Sequence, residues 1–129
     1  MCCLFGLIDT QLRFTGKQKS KLLHALASAS EVRGTDATGV AYDFGGNLHI
    51  YKRPIPGHKL NFYIRNESRF AMGHTRMTTQ GNASRNRNNH PFRGILQSGS
   101  FALAHNGVLY NDMSLREPLH LPKTRIGAD

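Results

Sequence analysis

The chain has almost no cysteine. Only Cys2 and Cys3 occur, side by side and so poorly placed to bond each other. That excludes a disulfide framework and points to a reducing compartment, so a cytoplasmic protein is expected. No apolar run approaches the ~20 residues needed to cross a bilayer, and no membrane partner is expected. Residues 2–8 are apolar but lack a basic lead-in and meet Asp9, so no signal peptide is expected either. Acidic residues are few, eight against 17 Lys and Arg, for a formal charge of +9 that favours anionic partners without specificity. The basic residues are spread along the chain, with only Arg85, Arg87 and Arg93 close together. Zinc-finger spacings, an RRM aromatic signature and a Gly-x-x-Gly RNA clamp are all missing. A solvated basic surface is therefore expected, and no nucleic-acid partner. The apolar fraction of 39% is below the ~45–50% usual for compact domains and allows a core of moderate size. Internal repeats and low-complexity segments are absent, and 129 residues make at most one domain.

The order of elements is legible from periodicity and punctuation. Residues 2–8 have the length of an opening strand. Thr15 with Gln18 three residues on forms a capping box, and Leu22, Leu23, Leu26 and Ala29 recur at helical spacing, which predicts a helix over 16–31. Arg33-Gly34 stops it, with Gly34 as a left-handed cap. Strands are expected over 38–44 and 47–52, joined as a hairpin through Gly45-Gly46. Residues 54–57 connect to a piece over 59–65 that reads either as a short helix or as extended chain. A strand is expected over 69–75, then a polar loop over 79–89. Residues 101–105 and 108–110 flank Asn106-Gly107, the strongest short-range hairpin dipeptide. Residues 117–129 show no clear element. One helix among several strands is an α+β pattern rather than a βαβ series.

Several features carry chemistry. A cysteine directly after the initiator Met becomes the N-terminal residue once Met1 is removed. It then holds a thiol and an α-amine whose reference pKa values, ~8.5 and ~7.7–8.0, let the amine serve as built-in base for the nucleophile. The bland alternative is an apolar strand containing small Cys side chains. Asn106-Gly107 offers a side-chain amide and a backbone N–H that could form an oxyanion hole, or simply a type I′ turn, and the two are compatible. Arg76 ends an apolar strand, where a guanidinium suits a substrate carboxylate; without context it reads as a surface Arg. His74, His90 and His105, spaced 16 and 15 apart, match no usual zinc pattern and read as structural histidines, so no metal is expected. Residues 33–39 are Gly-flanked like a phosphate loop but lack a P-loop ending and the third Gly of a dinucleotide fingerprint; no cofactor is expected.

The order of these motifs says more than any one of them. Met-Cys-x-Leu-Phe-Gly at 1–6, Arg-Gly-x-Asp-x-x-Gly at 33–39, Gly-His-Thr-Arg at 73–76, Asn-x-His-Pro-Phe at 88–92 and His-Asn-Gly at 105–107 together resemble the class II glutamine amidotransferase domain. The resemblance runs through the whole chain. It implies the N-terminal-nucleophile hydrolase fold, an αββα sandwich, of which residues 1–129 would be the N-terminal portion, with sheet edges and apolar faces left uncovered. It implies hydrolysis of the glutamine side-chain amide and delivery of ammonia to an accepting synthase domain or subunit. By the same resemblance Cys2 is the nucleophile, Asn106 and Gly107 form the oxyanion hole, Arg76 holds the substrate α-carboxylate, Thr79 contributes to glutamine binding and Asp129 holds the α-ammonium. Three positions depart from the family pattern: Cys3 replaces a small residue, Met77 stands where an aromatic is common, and Gln80 where His is frequent. The competing expectation is an inactive remnant of the fold, or a binding module acting through its basic surface.

Overall fold

The computed structural model describes residues 1–79 and 81–120. The apolar opening run forms strand β1 (Cys3–Ile8), whose side chains alternate between half-buried and exposed. Asp9 then turns the chain, its carboxylate accepting the backbone N–H groups of Arg13 and Phe14 at 2.8 and 3.0 Å. Helix α1 (Gly16–Ser30) opens on the expected capping box: Thr15 Oγ1 accepts the Gln18 N–H, and Gln18 Oε1 accepts the Thr15 N–H at 2.9 Å. Lys19 is buried and pairs with Asp9 at 3.2 Å, while also donating to the carbonyls of Asn66 and Ser68. A buried cation needs such partners. Burial works to raise the Asp9 pKa, but the Phe14 and Arg13 N–H groups and Lys19 outweigh it and hold the carboxyl below its ordinary range.

Helix α1 runs into a 3₁₀ turn over Glu31–Arg33. The left-handed cap expected at Gly34 does not form, because φ there is 171°, ordinary extended backbone. Glycine is needed for a different reason. A Cβ at this position would lie 2.4 Å from the Arg76 carbonyl carbon and 2.5 Å from the Met77 nitrogen.

Strands β2 (Ala37–Phe44) and β3 (Asn47–Arg53) form the expected hairpin, with Gly45 and Gly46 at φ 58° and 73°. Strand β4 (Phe70–Arg76) inserts between β1 and β2, giving a four-stranded antiparallel sheet in the order β1-β4-β2-β3. The piece left open over 59–65 is a 3₁₀ turn at Gly57–Lys59 followed by extended chain. Its alternate residues Leu60, Phe62 and Ile64 are buried and join Leu23, Val40 and Ala71 in the core between helix and sheet. Ser20 Oγ accepts the Ile64 N–H at 2.8 Å, and the His24 ring stacks on Phe62 at 4.1 Å, so α1 fixes this segment by polar as well as apolar contacts.

The hairpin expected around Asn106-Gly107 is not formed. Strand β6 (Gly99–Leu103) pairs backward with β5 (Phe92–Leu96), and residues 108–110 make no strand. Neither Asn106 nor Gly107 adopts the positive φ that a type I′ turn requires. The hydrogen bonds of 99–103 are already taken by β5, where Phe101 lies opposite Gly94 and occupies the space a side chain there would fill. A short helix, α2 (Asp112–Arg116), follows. The fold is mixed α/β with antiparallel sheets. Among the described residues no helix is long and apolar enough to cross a membrane.

Candidate active site

Strand register puts the neighbourhoods of two sequence-predicted residues, Cys2 and Arg76, at one end of the larger sheet. Cys3 pairs with Thr75, the last rung of that ladder, with Cys2 preceding the one and Arg76 following the other. On the other flank of β4, Ala37 of β2 pairs with Arg76 itself. Cys2 is 4% exposed, its thiol 3.6 Å from the Met77 carbonyl, and its own carbonyl accepts from Arg33 Nε at 3.3 Å. Neither Cys2 nor Cys3 is in a disulfide. The Met1 amine lies 3.0 Å from Met77 Sδ and the Met1 thioether 3.2 Å from Arg33, which lays Met1 over the Cys2 backbone's neighbours.

Arg76 is not the surface side chain that its context-free reading suggests, for it is fully buried. Its carbonyl accepts the Asp36 N–H at 2.9 Å, and Nη1 donates to Asn89 Oδ1 at 2.9 Å. The Asp36 carboxylate accepts the Thr78 N–H at 2.7 Å, so residues 34–36 brace the chain on both sides of Met77. Thr79 follows at the exposed start of the polar loop, within which Asn86–Asn88 forms a 3₁₀ turn.

His74, His90 and His105 come together despite their separation in sequence. The His74 and His90 rings are 4.4 Å apart. His90 Nδ1 accepts the His105 N–H at 3.1 Å, and His74 Nε2 bonds the His105 carbonyl at 3.2 Å. These contacts assign the histidines a structural use, pinning the residue before Asn106 to both β4 and the 90–91 segment. Asn106 is exposed and Gly107 half-buried beside this cluster. An apolar cavity of about 390 Å³ adjoins it, lined by His90, Phe92, Leu103, Ala104, His105 and Leu109. Among the described residues no three of His, Cys, Asp or Glu are grouped to hold a metal ion. Asp129 lies outside the described residues.

Two contributors escape sequence reasoning. Asn89 holds the Arg76 guanidinium, and Lys52 donates to the backbone carbonyls of Asn89 and Pro91 while lying 4.9 Å from the Phe92 ring. Burial pushes the Lys52 pKa below its ordinary 10.5. The available signal for Asn89 is its place inside the Asn-x-His-Pro-Phe segment; Lys52 shows only as the residue opposite Gly39 near the end of a strand.

Sequence comparison turns the resemblance into kinship: the chain belongs to the class II glutamine amidotransferases. It is 34% identical over 121 residues to the isomerizing glutamine–fructose-6-phosphate aminotransferase of Chlamydia trachomatis, an alignment covering 92% of this chain and 18% of that protein. It is 30% identical over 119 residues to the enzyme of the same name from Halobacterium salinarum, with the same two coverages of 92% and 18%. The amidophosphoribosyltransferase of Synechocystis sp. is 32% identical over 124 residues, covering 92% of this chain and 23% of that protein. The chain thus spans about a fifth of the length of the curated relatives it matches. No family model and no solved structure matches it.

Proposed function

We propose that this chain is a glutamine-hydrolysing domain of the N-terminal-nucleophile kind, acting in the cytoplasm and built as the N-terminal portion of an αββα sandwich. What supports the proposal is the Cys3–Thr75 rung, next in sequence to Cys2 and to the buried Arg76, at a sheet end where Ala37 pairs with Arg76 and the Asp36 N–H donates to the Arg76 carbonyl. Removal of Met1 gives Cys2 an α-amine in reach of its own thiol. The amine takes the thiol proton, and sulfur attacks the amide carbon of the glutamine side chain. The tetrahedral oxyanion is met by the Asn106 side chain and the Gly107 N–H. Collapse breaks the C–N bond, the proton returns to nitrogen and ammonia leaves, with a glutamyl thioester remaining on Cys2. Water then adds to the thioester, releasing glutamate and restoring the thiol. Arg76 grips the α-carboxylate, with Thr79 and Asp129 completing substrate binding. Ammonia passes to an acceptor on a synthase domain or partner subunit, the arrangement implied by relatives named as aminotransferases and phosphoribosyltransferases.

The test is incubation of the Met1-processed protein with L-glutamine, with glutamate measured against a Cys2→Ala control. Glutamate formation that vanishes in the control supports the proposal. A folded protein that forms no glutamate refutes it and leaves the inactive binding module as the reading.

A further inference from the structure

The last rung that β4 shares with β2 is Arg76 opposite Ala37, and beyond it the chain leaves the sheet. Backbone that leaves a ladder must find other partners for its peptide groups. Residue 36 supplies them. The Asp36 N–H donates to the Arg76 carbonyl at 2.9 Å, and the Asp36 carboxylate accepts the Thr78 N–H at 2.7 Å. Met77 lies between these two bonds. The Thr78 hydroxyl adds no hold of its own, since Oγ1 is buried and finds no partner among the described residues.

The N–H that Asp36 takes belongs to the same peptide group as the Met77 carbonyl. That group is planar and trans, so its N–H and C=O point in opposite directions and turn together. The carbonyl end lies 3.6 Å from Cys2 Sγ, in reach of the thiol proton. One rigid unit therefore joins the carboxylate of Asp36 on one side to the thiol of Cys2 on the other. A thiol is a weak donor and does not fix the plane by itself, whereas a carboxylate is a strong acceptor and does. Its charge also polarises the peptide and makes the carbonyl a better acceptor for the thiol. We infer that Asp36 is a positioning residue that sets where the Cys2 thiol rests, acting through the peptide between Met77 and Thr78. Its part in glutamine hydrolysis rests on the reading of Cys2 as the nucleophile; its hold on the thiol does not.

The Asp36 N–H survives any side-chain substitution short of proline, so Arg76 keeps that bond and the loss falls on the peptide facing Cys2. The experiment uses the Met1-processed chain and measures kcat and KM with L-glutamine, the thermal midpoint, and iodoacetamide alkylation, with Cys2 and Cys3 told apart by peptide fragmentation. Asp36→Ala is expected to lower kcat by about 10–100-fold, with KM within about threefold, as for a reacting group displaced by up to about 1 Å. Cys2, now less firmly covered, should alkylate about 3–10-fold faster, the scale of one lost hydrogen bond, while Cys3 stays within about twofold as the internal control. Asp36→Asn keeps an acceptor oxygen without the charge and should restore kcat to within about fivefold of wild type. An unchanged kcat and alkylation rate in Asp36→Ala overturns the inference. So does Asp36→Asn as damaged as Asp36→Ala, or Cys2 and Cys3 accelerating together, which marks a general loosening. If Asp36→Ala does not fold, Asp36 serves stability and the assignment falls. A wild-type protein that forms no glutamate refutes the glutaminase reading instead, and the alkylation rates still decide whether Asp36 holds the thiol.

Discussion

Gly34→Ala tests whether the sheet end is a built site or a coincidence of register. The added Cβ would arrive 2.4 Å from the Arg76 carbonyl carbon, 2.5 Å from Met77 N and 2.6 Å from the Arg76 oxygen. Carbon atoms rest in contact near ~3.5 Å, so relief requires the two backbones to part by about 1 Å. None of the three obstructing atoms belongs to a flexible side chain, so the movement passes to Arg76 and Met77 themselves. Overpacking of this kind costs about 1–3 kcal/mol. Displacement of a substrate-holding group by about 1 Å costs on the order of 100-fold in rate, even where the altered residue touches no ligand. The expected result is a protein that still melts cooperatively but has lost about two orders of magnitude in kcat/KM for L-glutamine. Gly34→Ala with wild-type kcat/KM would refute the reasoning, since Arg76 would then have moved without consequence.

Three further outcomes are expected. Asn106→Ala should lower kcat by about 100–1,000-fold with little change in KM, as for loss of one oxyanion donor; a change in KM alone would assign Asn106 to binding. Thr15→Ala removes the acceptor of the α1 capping box and should cost about 1 kcal/mol, read as a thermal midpoint lowered by about 2–6 °C. Asp9 has a folded-state pKa below its ordinary value, so its stabilisation is whole above that value and is lost as pH falls through the lower folded one. The thermal midpoint should therefore fall on acidification below about pH 4, and Asp9→Asn should flatten that fall while lowering the midpoint at neutral pH.

Local chemistry made α1 and the β2–β3 hairpin legible, because Thr15 with Gln18 and Gly45 with Gly46 decide their structure within a few residues. Asn106-Gly107 carries an equally strong local signal and misleads. Residues 99–103 had a better partner upstream, announced only by the pairing of Phe101 with Gly94. The same aromatic-over-glycine pairing occurs between Phe5 and Gly73 in β1 and β4, so it is a cross-strand signal that periodicity along one strand does not expose. Gly34 shows a related limit: the glycine was legible, its cause was not, since the obstructing atoms lie more than 40 residues away. At the site, motif order picked out Cys2 and Arg76, whereas Asn89 and Lys52 became visible only once the polar loop was folded against β3.

The insertion of β4 between β1 and β2 has a consequence in time. β1 has no partner in the described sheet until residue 76 exists, since β2 and β3 can pair with each other but not with it. At 5–20 residues per second, the ribosome needs about 4–15 s to travel from the first strand to the end of β4. Throughout that interval β1 stays unpaired, a largely apolar strand with both edges open. Once β4 docks, Cys2 is shut between Met77 and Arg33. Slower elongation through residues 60–76 should lengthen the time for which those edges stand open.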